Sequence, residues 1–363
     1  MVVSMSRWVM AGVFVVAGSI AAASAQTPVV MAQGLDNPRG MAFGPDGAIY
    51  VAEAGRGGTS TLCLAVPTGP GQRCYGPTGA VTRVLTGTPL RQGRVLGGLP
   101  SLAVQSGAEA AGPHDIDFGF GAAFITVGSG GDPATLQPFR QAGIPFGNLL
   151  LVNYTGQITP IVDVAAHETA ANPDGGLLDS NLYSLEITNT RGLVTDAGAN
   201  ALLQIAPNLS ISTLAVFPAR TVAGPGGNVQ MQSVPTAVVE ALDGSIYVGE
   251  LTGFPFPVGG ANVYRIPAGG GTPTVVATGF TNIIDIALGP DGAAYVLEHD
   301  TNSLLTAGNI GRLVKIGPFG FQTELAAGQL VDPGALLIGA DNAVYVSVNS
   351  KSAGTGQVVR ITQ

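Results

Sequence analysis

Short apolar runs with a two-residue alternation are punctuated along the whole chain by turns bearing Gly, Pro and Asp. Gly44-Pro45-Asp46-Gly47 leads into Ala48-Ile49-Tyr50-Val51-Ala52-Glu53. The phrase returns as Asp243-Gly244-Ser245-Ile246-Tyr247-Val248-Gly249-Glu250 and as Asp291-Gly292-Ala293-Ala294-Tyr295-Val296-Leu297-Glu298. A weaker copy, Asp341-Asn342-Ala343-Val344-Tyr345-Val346, follows near the end. An apolar stretch stops just before each turn, so each copy predicts one β-hairpin. Self-similarity at a spacing of roughly 50 residues marks a repeat architecture.

Aligned on these turns, the chain divides into six units. The first runs from Gly34 through Val81-Thr82-Arg83-Val84 and carries a long insertion. The second begins at Gly112-Pro113-His114-Asp115, and the third, the most divergent, at Asn181-Leu182-Tyr183-Ser184. Units four, five and six start near Val234-Pro235, Thr281-Asn282 and Asp332-Pro333. Each holds about four strand candidates, and four-stranded units repeated radially make a β-propeller. The sequence therefore predicts an all-β fold, a six-bladed β-propeller with four-stranded blades. A solenoid stack would use shorter and more uniform repeats. Val358-Val359-Arg360-Ile361 reads as the third strand of unit six, leaving that unit one strand short. Residues 27–33 can supply the missing outer strand, closing the ring and removing an exposed edge. One helical patch is expected, near residues 161–171.

Composition adds compartment and excludes some partners. Of 363 residues, 54 are Gly and 25 Pro while 46% are hydrophobic, so the Gly and Pro report turns rather than disorder. The formal net charge is −8 and no stretch concentrates Lys and Arg, which argues against nucleic acid as a partner. Arg7, the apolar run Trp8 to Ala22 and the small residues Ala23-Ser24-Ala25 form a signal peptide over residues 1–25, expected to be cut before Gln26. Residues 26–363 then form a single propeller domain with no membrane anchor, secreted or periplasmic. In such an oxidising compartment, the two cysteines, Cys63 and Cys74, are expected to pair. Closing that loop contributes roughly 3 kcal/mol in the chain-entropy model.

Several phrases resemble the ScyD/ScyE family, named for a cyanobacterial scytonemin gene cluster. They are Gly34-Leu35-Asp36-Asn37-Pro38-Arg39-Gly40-Met41-Ala42-Phe43, Gly112-Pro113-His114-Asp115, Asn172-Pro173-Asp174-Gly175-Gly176, Gly249-Glu250-Leu251-Thr252-Gly253-Phe254-Pro255-Phe256-Pro257 and Thr278-Gly279-Phe280-Thr281-Asn282-Ile283-Ile284-Asp285. The resemblance covers nearly the whole mature chain. It implies an exported propeller of the wider NHL-like group and carries no biochemical activity with it.

In a propeller the loop entering the innermost strand and the loop leaving the second strand open on the same end. These positions hold Arg39, His114, Asp115, Asp285, Glu53, Glu250 and Glu298. Asp115 and Asp285 fall at equivalent places in units two and five, opposite one another across a six-membered ring. Such a pair would hold a divalent cation, calcium or magnesium, bind a basic group or shift one another's pKa; the bland alternative is that each caps backbone N–H groups or pairs with Arg39 or His114. No other cofactor is implied. The repetition of Glu53, Glu250 and Glu298 favours an architectural role over a ligand-binding one. His114 is the candidate general base. No zinc spacing and no nucleophile elbow is present. Phe254 and Phe256, held between prolines, offer an apolar rim to a hydrophobic ligand or partner. Together these features favour a ligand- or protein-binding scaffold whose partner is a small molecule or an envelope or extracellular protein. The alternative is a lactonase-like hydrolase using His114 and the nearby carboxylates, with or without a divalent cation.

Overall fold

A computed structural model describes residues 21–22, 27–66, 71–87, 89–308 and 310–363. Six antiparallel blades follow one another along the chain. Blade one comprises Pro38–Phe43, Ile49–Glu53, Gln72–Val84 and Gln92–Ala103, innermost strand first. Blade two comprises Pro113–Gly119, Ala122–Val127, Asn148–Val152 and Ile158–Asp163. Blade three, divergent in sequence but regular in form, comprises Leu182–Ile187, Gly192–Asp196, Ala201–Ile205 and Ile211–Val216. Blade four holds Pro235–Glu240, Ile246–Glu250, Ala261–Ile266 and Thr274–Phe280, after a hairpin of Arg220–Gly224 and Gly227–Met231. Blade five holds Ile283–Leu288, Ala294–Glu298, Arg312–Ile316 and Gln322–Leu325. Innermost strands of consecutive blades lie side by side, that of blade six beside that of blade one, so the ring is closed.

Blade six takes Ala335–Ile338, Val344–Val348 and Gly356–Ile361 from the end of the chain and its outer strand, Val29–Leu35, from the beginning. Val29 pairs with Arg360 and Leu35 with Gly356, antiparallel, which is the closure the sequence predicts. The expected signal peptide, residues 1–25, lies outside the described residues, save that Ala21–Ala22 pairs in parallel with Thr323 and Glu324 of blade five.

The recurring turn phrase has a local cause. Its aspartate folds back onto the backbone N–H two residues on: Asp46 onto Ala48, Asp243 onto Ser245, Asp291 onto Ala293 and Asp341 onto Ala343. The next residue adopts positive φ, 75° at Gly47 and 61° at Asn342, a conformation Gly and Asn tolerate. The alternating run after the turn then buries both faces of its strand against neighbouring blades. Six apolar clusters result, one between each pair of consecutive blades. Between blades six and one, for example, Ile49 and Val51 meet Tyr345 and Val358, all at most 3% exposed. Each such aliphatic side chain stabilises the fold by roughly 1.5–3 kcal/mol.

Besides the hairpin before blade four, insertions depart from the blade plan in blade one and in and after blade two. In blade one, Cys63–Ala65 pairs with Gln72–Val84, and Cys63 and Cys74 form the expected disulfide. After blade two the expected helix spans Val164–Ala171; Asp163 caps the N–H of Ala166, and Asn172 ends it in the left-handed conformation. A second, shorter helix, Gln137–Gln141, was not expected.

Candidate functional site

A shared irregularity positions the channel mouth. In five blades the pairing of the innermost strand with the second strand slips at the mouth end, between Pro38 and Met41, Pro113 and Asp115, Leu182 and Leu185, Pro235 and Ala237, and Ile283 and Asp285. The residues left out of register include Arg39, His114, Tyr183, Thr236 and Ile284. A bulge bends its strand and re-aims the extra side chain. Here it brings Arg39, His114 and Tyr183 together at one end of the ring, whereas Thr236 donates to the carbonyl of Ile283 and Ile284 packs into the core between blades five and six. Blade six pairs without a slip, and its equivalent residue is Gly334.

Three of these side chains form a cluster. His114 is buried, and its Nδ1 lies 2.7 Å from the carbonyl oxygen of Leu182 in the next blade. A carbonyl only accepts, so Nδ1 carries the proton and Nε2 is left as an acceptor. The ring leans on Tyr183, with centroids 5.1 Å apart. Burial, reinforced by the positive charges of Arg39 and Arg73, drives the His114 pKa down to about 3, so the imidazole is neutral near pH 7. Arg39 reaches inward from blade one. Its Nη2 donates to the carbonyl of Ala110, and its charge is felt by His114, by Tyr183 and by His299 of blade five. Arg73 arrives from the disulfide-bearing insertion, next to Cys74, and donates through Nη2 to the carbonyl of Ser129 at 3.0 Å.

Next to this cluster the acids lace one innermost strand to the next. Asp115 accepts the N–H of Leu185 in blade three at 2.7 Å and that of its neighbour Ile116. Asp285 accepts from Leu336 in blade six and from Ile286, both at 2.8 Å. Asp117 does the same toward Ile187. These bonds satisfy edge N–H groups that the narrow ring leaves without a strand partner. Burial outweighs them and raises Asp285 to about 7; Asp115 is pushed well above the usual carboxylate range by burial and then by the charge of Asp285. Asp115 therefore lies within the field of Asp285. Gly40 makes room for it: a Cβ there would sit 1.8 Å from Asp115 Oδ1.

The glutamate column has a different environment. Glu53, Glu250 and Glu298 are fully buried. Glu53 accepts the N–H of Asp36 and pairs with Arg94, and Glu298 accepts from Thr281 and pairs with Arg312. Glu250 pairs with Arg220 and accepts from Ser233 and from the N–H of Asn262. In blade three Asp196 takes this place, accepting the N–H of Asn181. These acids tie the loop entering each blade to its second strand, with their oxygens turned into protein. Phe254 stands half exposed and Phe256 half-buried on the mouth-side loop of blade four, which hydrogen-bonds to Gln232 and is held by Asn282 through the carbonyl of Leu251. Among the described residues, no three His, Cys, Asp or Glu side chains gather as a group able to hold a metal ion.

Sequence reasoning missed two members of the cluster. Tyr183 shares the column of Arg39 and His114, but blade three turns through Thr188-Asn189-Thr190-Arg191, with no Asp-Gly from which to count. Arg73 lies in an insertion outside the repeat, and nothing in its own sequence marks it.

No family model matches the chain, and no curated protein does. Solved structures do. A streptogramin B lyase structure superposes with a TM-score of 0.51 at 11% identity, covering 93% of this chain and 97% of that one. A virginiamycin B lyase from Staphylococcus aureus gives 0.48 at 12%, covering 93% and 98%. A structural-genomics protein of unknown function from Bacteroides thetaiotaomicron gives 0.53 at 8%, covering 95% and 75%. At such identities the likeness is one of fold, and the chain is a six-bladed β-propeller.

Proposed function

We propose that the mature chain is an exported binding scaffold of the ScyD/ScyE type that takes a small molecule at the mouth formed by Arg39, His114, Asp115, Tyr183 and Asp285. The observation that carries this reading is the bulge shared by blades one, two and three, which brings the unlike side chains of Arg39, His114 and Tyr183 together at one end of the channel. Repeated identical residues, as in the glutamate column, serve the ring; unlike residues at equivalent places serve something that lacks its symmetry. Phe254 and Phe256 supply an apolar rim for the less polar part of such a ligand. An envelope protein covering the same face is the larger form of this partner.

Catalysis by His114 is the less supported reading. A general base works best with a pKa near the working pH, and burial beside two arginines holds this imidazole at about 3. Asp115 and Asp285 already accept four backbone N–H groups between them, which a bound cation would have to displace or share.

The test is a thermal-shift screen of the chain from residue 26 onward against a mixed library of charged and neutral small molecules. Hits should raise the melting temperature of the wild type, and the shift should disappear in Arg39→Ala and shrink in Tyr183→Phe. Hits that stabilise both variants as well as the wild type would place the ligand elsewhere and end this reading.

A further inference from the structure

The chain has 15 arginines and lysines. Among the described residues all make an ion pair with a carboxylate except Arg39, Arg73 and the exposed Arg91. The two exceptions that are not exposed both stand near enough to His114 for their charges to act on its imidazole. Arg73 is only 6% exposed, and Nε of both Arg39 and Arg73 is buried with no acceptor. A guanidinium buried like that of Arg73 without an anion is costly, and the half-buried Arg39 beside the same neutral imidazole adds a like charge. Local acids do not relieve this. Asp115 and Asp285 are turned onto the backbone amides of the next blades, and Glu109, the acid that Arg73 feels, lies beyond ion-pair distance.

We propose that the ligand taken at this mouth is a small organic anion whose carboxylate lies between Arg39 and Arg73, an inference that rests on the binding reading above. A carboxylate would neutralise the two guanidiniums that the protein leaves without an anion, and charge-assisted bonds of this kind are the strong ones. Tyr183, whose hydroxyl faces the Arg39 guanidinium, adds a third donor. Because Nδ1 of His114 is committed to the carbonyl of Leu182, its Nε2 is an acceptor, which suits a ligand bearing a hydroxyl beside the carboxylate. A cation would meet two like charges here, and a neutral ligand would leave both guanidiniums unmatched.

Isothermal titration of the chain from residue 26 with benzoate, benzamide and benzylammonium separates the cases. Benzoate should bind, benzamide more weakly by about tenfold or more, the worth of one charge-assisted bond, and benzylammonium not at all. Arg39→Gln and Arg73→Gln should each weaken benzoate by a similar factor, with Arg39→Lys restoring part of it. Circular dichroism melts of the same variants report whether they fold. Benzamide or benzylammonium binding as tightly as benzoate, or benzoate binding untouched in both Gln variants, overturns the anion assignment. The mouth itself survives that result if Tyr183→Phe still weakens whatever binds. Failure of all three probes, with library hits indifferent to Arg39→Ala, removes both proposals.

Discussion

At the scale of single residues, the mouth depends on side chains that are absent as much as on those that are present. Gly40 faces the carboxylate of Asp115 so closely that a methyl group there would overlap Oδ1, and the backbone of Asp115 follows within 2.8 Å. Gly40→Ala should therefore destabilise the fold by roughly 1–3 kcal/mol through overpacking. Gly93→Ala, where nothing lies within 4 Å of the new Cβ, is the matched control and should stay within about 0.5 kcal/mol. Urea unfolding of the two variants checks the contrast; equal effects would mean that Asp115 yields without cost. A residue that reads as a featureless strand glycine thus fixes where the opposed acid can sit.

At the scale of the element, the unit is a hairpin pinned at its mouth end by one buried acid. Glu250 holds Arg220 of the preceding hairpin, Ser233 before the innermost strand and the N–H of Asn262 in the third strand. Glu250→Ala strands all three and should cost about 3 kcal/mol, less than a wholly buried pair because Arg220 remains 29% exposed. Thermal melts should show a drop of several degrees, partly recovered in Glu250→Gln; an unchanged melt would contradict the pinning role. Hairpins of this kind were legible in the sequence because Asp-Gly and the alternating run after it are local signals. The closing strand, the helix after blade two and the disulfide were legible for the same reason. The bulges were not. A bulge is a relation between two strands, and either strand alone keeps its ordinary alternation of apolar and polar residues. The counting that found Arg39 and His114 failed at Tyr183, whose hairpin turns without Asp-Gly. Arg73 was beyond reach because an insertion carries no period.

At the scale of the whole molecule, the packed ring traps protons. Burial raises Glu186 to about 8, Asp285 and Glu168 to about 7, and Asp117 and Asp196 to about 6. The native state therefore holds protons that the unfolded chain has released, and stability from these groups is lost as pH rises from about 4 through about 8. His114 and His299, lowered to about 3 and about 4, act in the opposite sense, losing stability as pH falls below the ordinary histidine range near 6.5. More acids than histidines are involved, so the melting temperature should be higher near pH 5 than near pH 8. Glu186→Gln should shrink that difference by removing the group that titrates highest. Differential scanning calorimetry across this range decides it, and a melting temperature that climbs toward pH 8 would refute the balance drawn here.

The closing strand also sets how the ring responds to load. Val29 lies opposite Arg360 while Leu35 lies opposite Gly356, so residues 27 and 363 leave blade six at the same end. A force applied between those two residues therefore acts across the ladder rather than along it. Its hydrogen bonds take the strain one after another, like the teeth of a zip, instead of sharing it. The seam that completes the propeller is thus its mechanical fuse: under tension the ring opens at blade six first, and the mouth loses its circular frame before any other blade has unfolded.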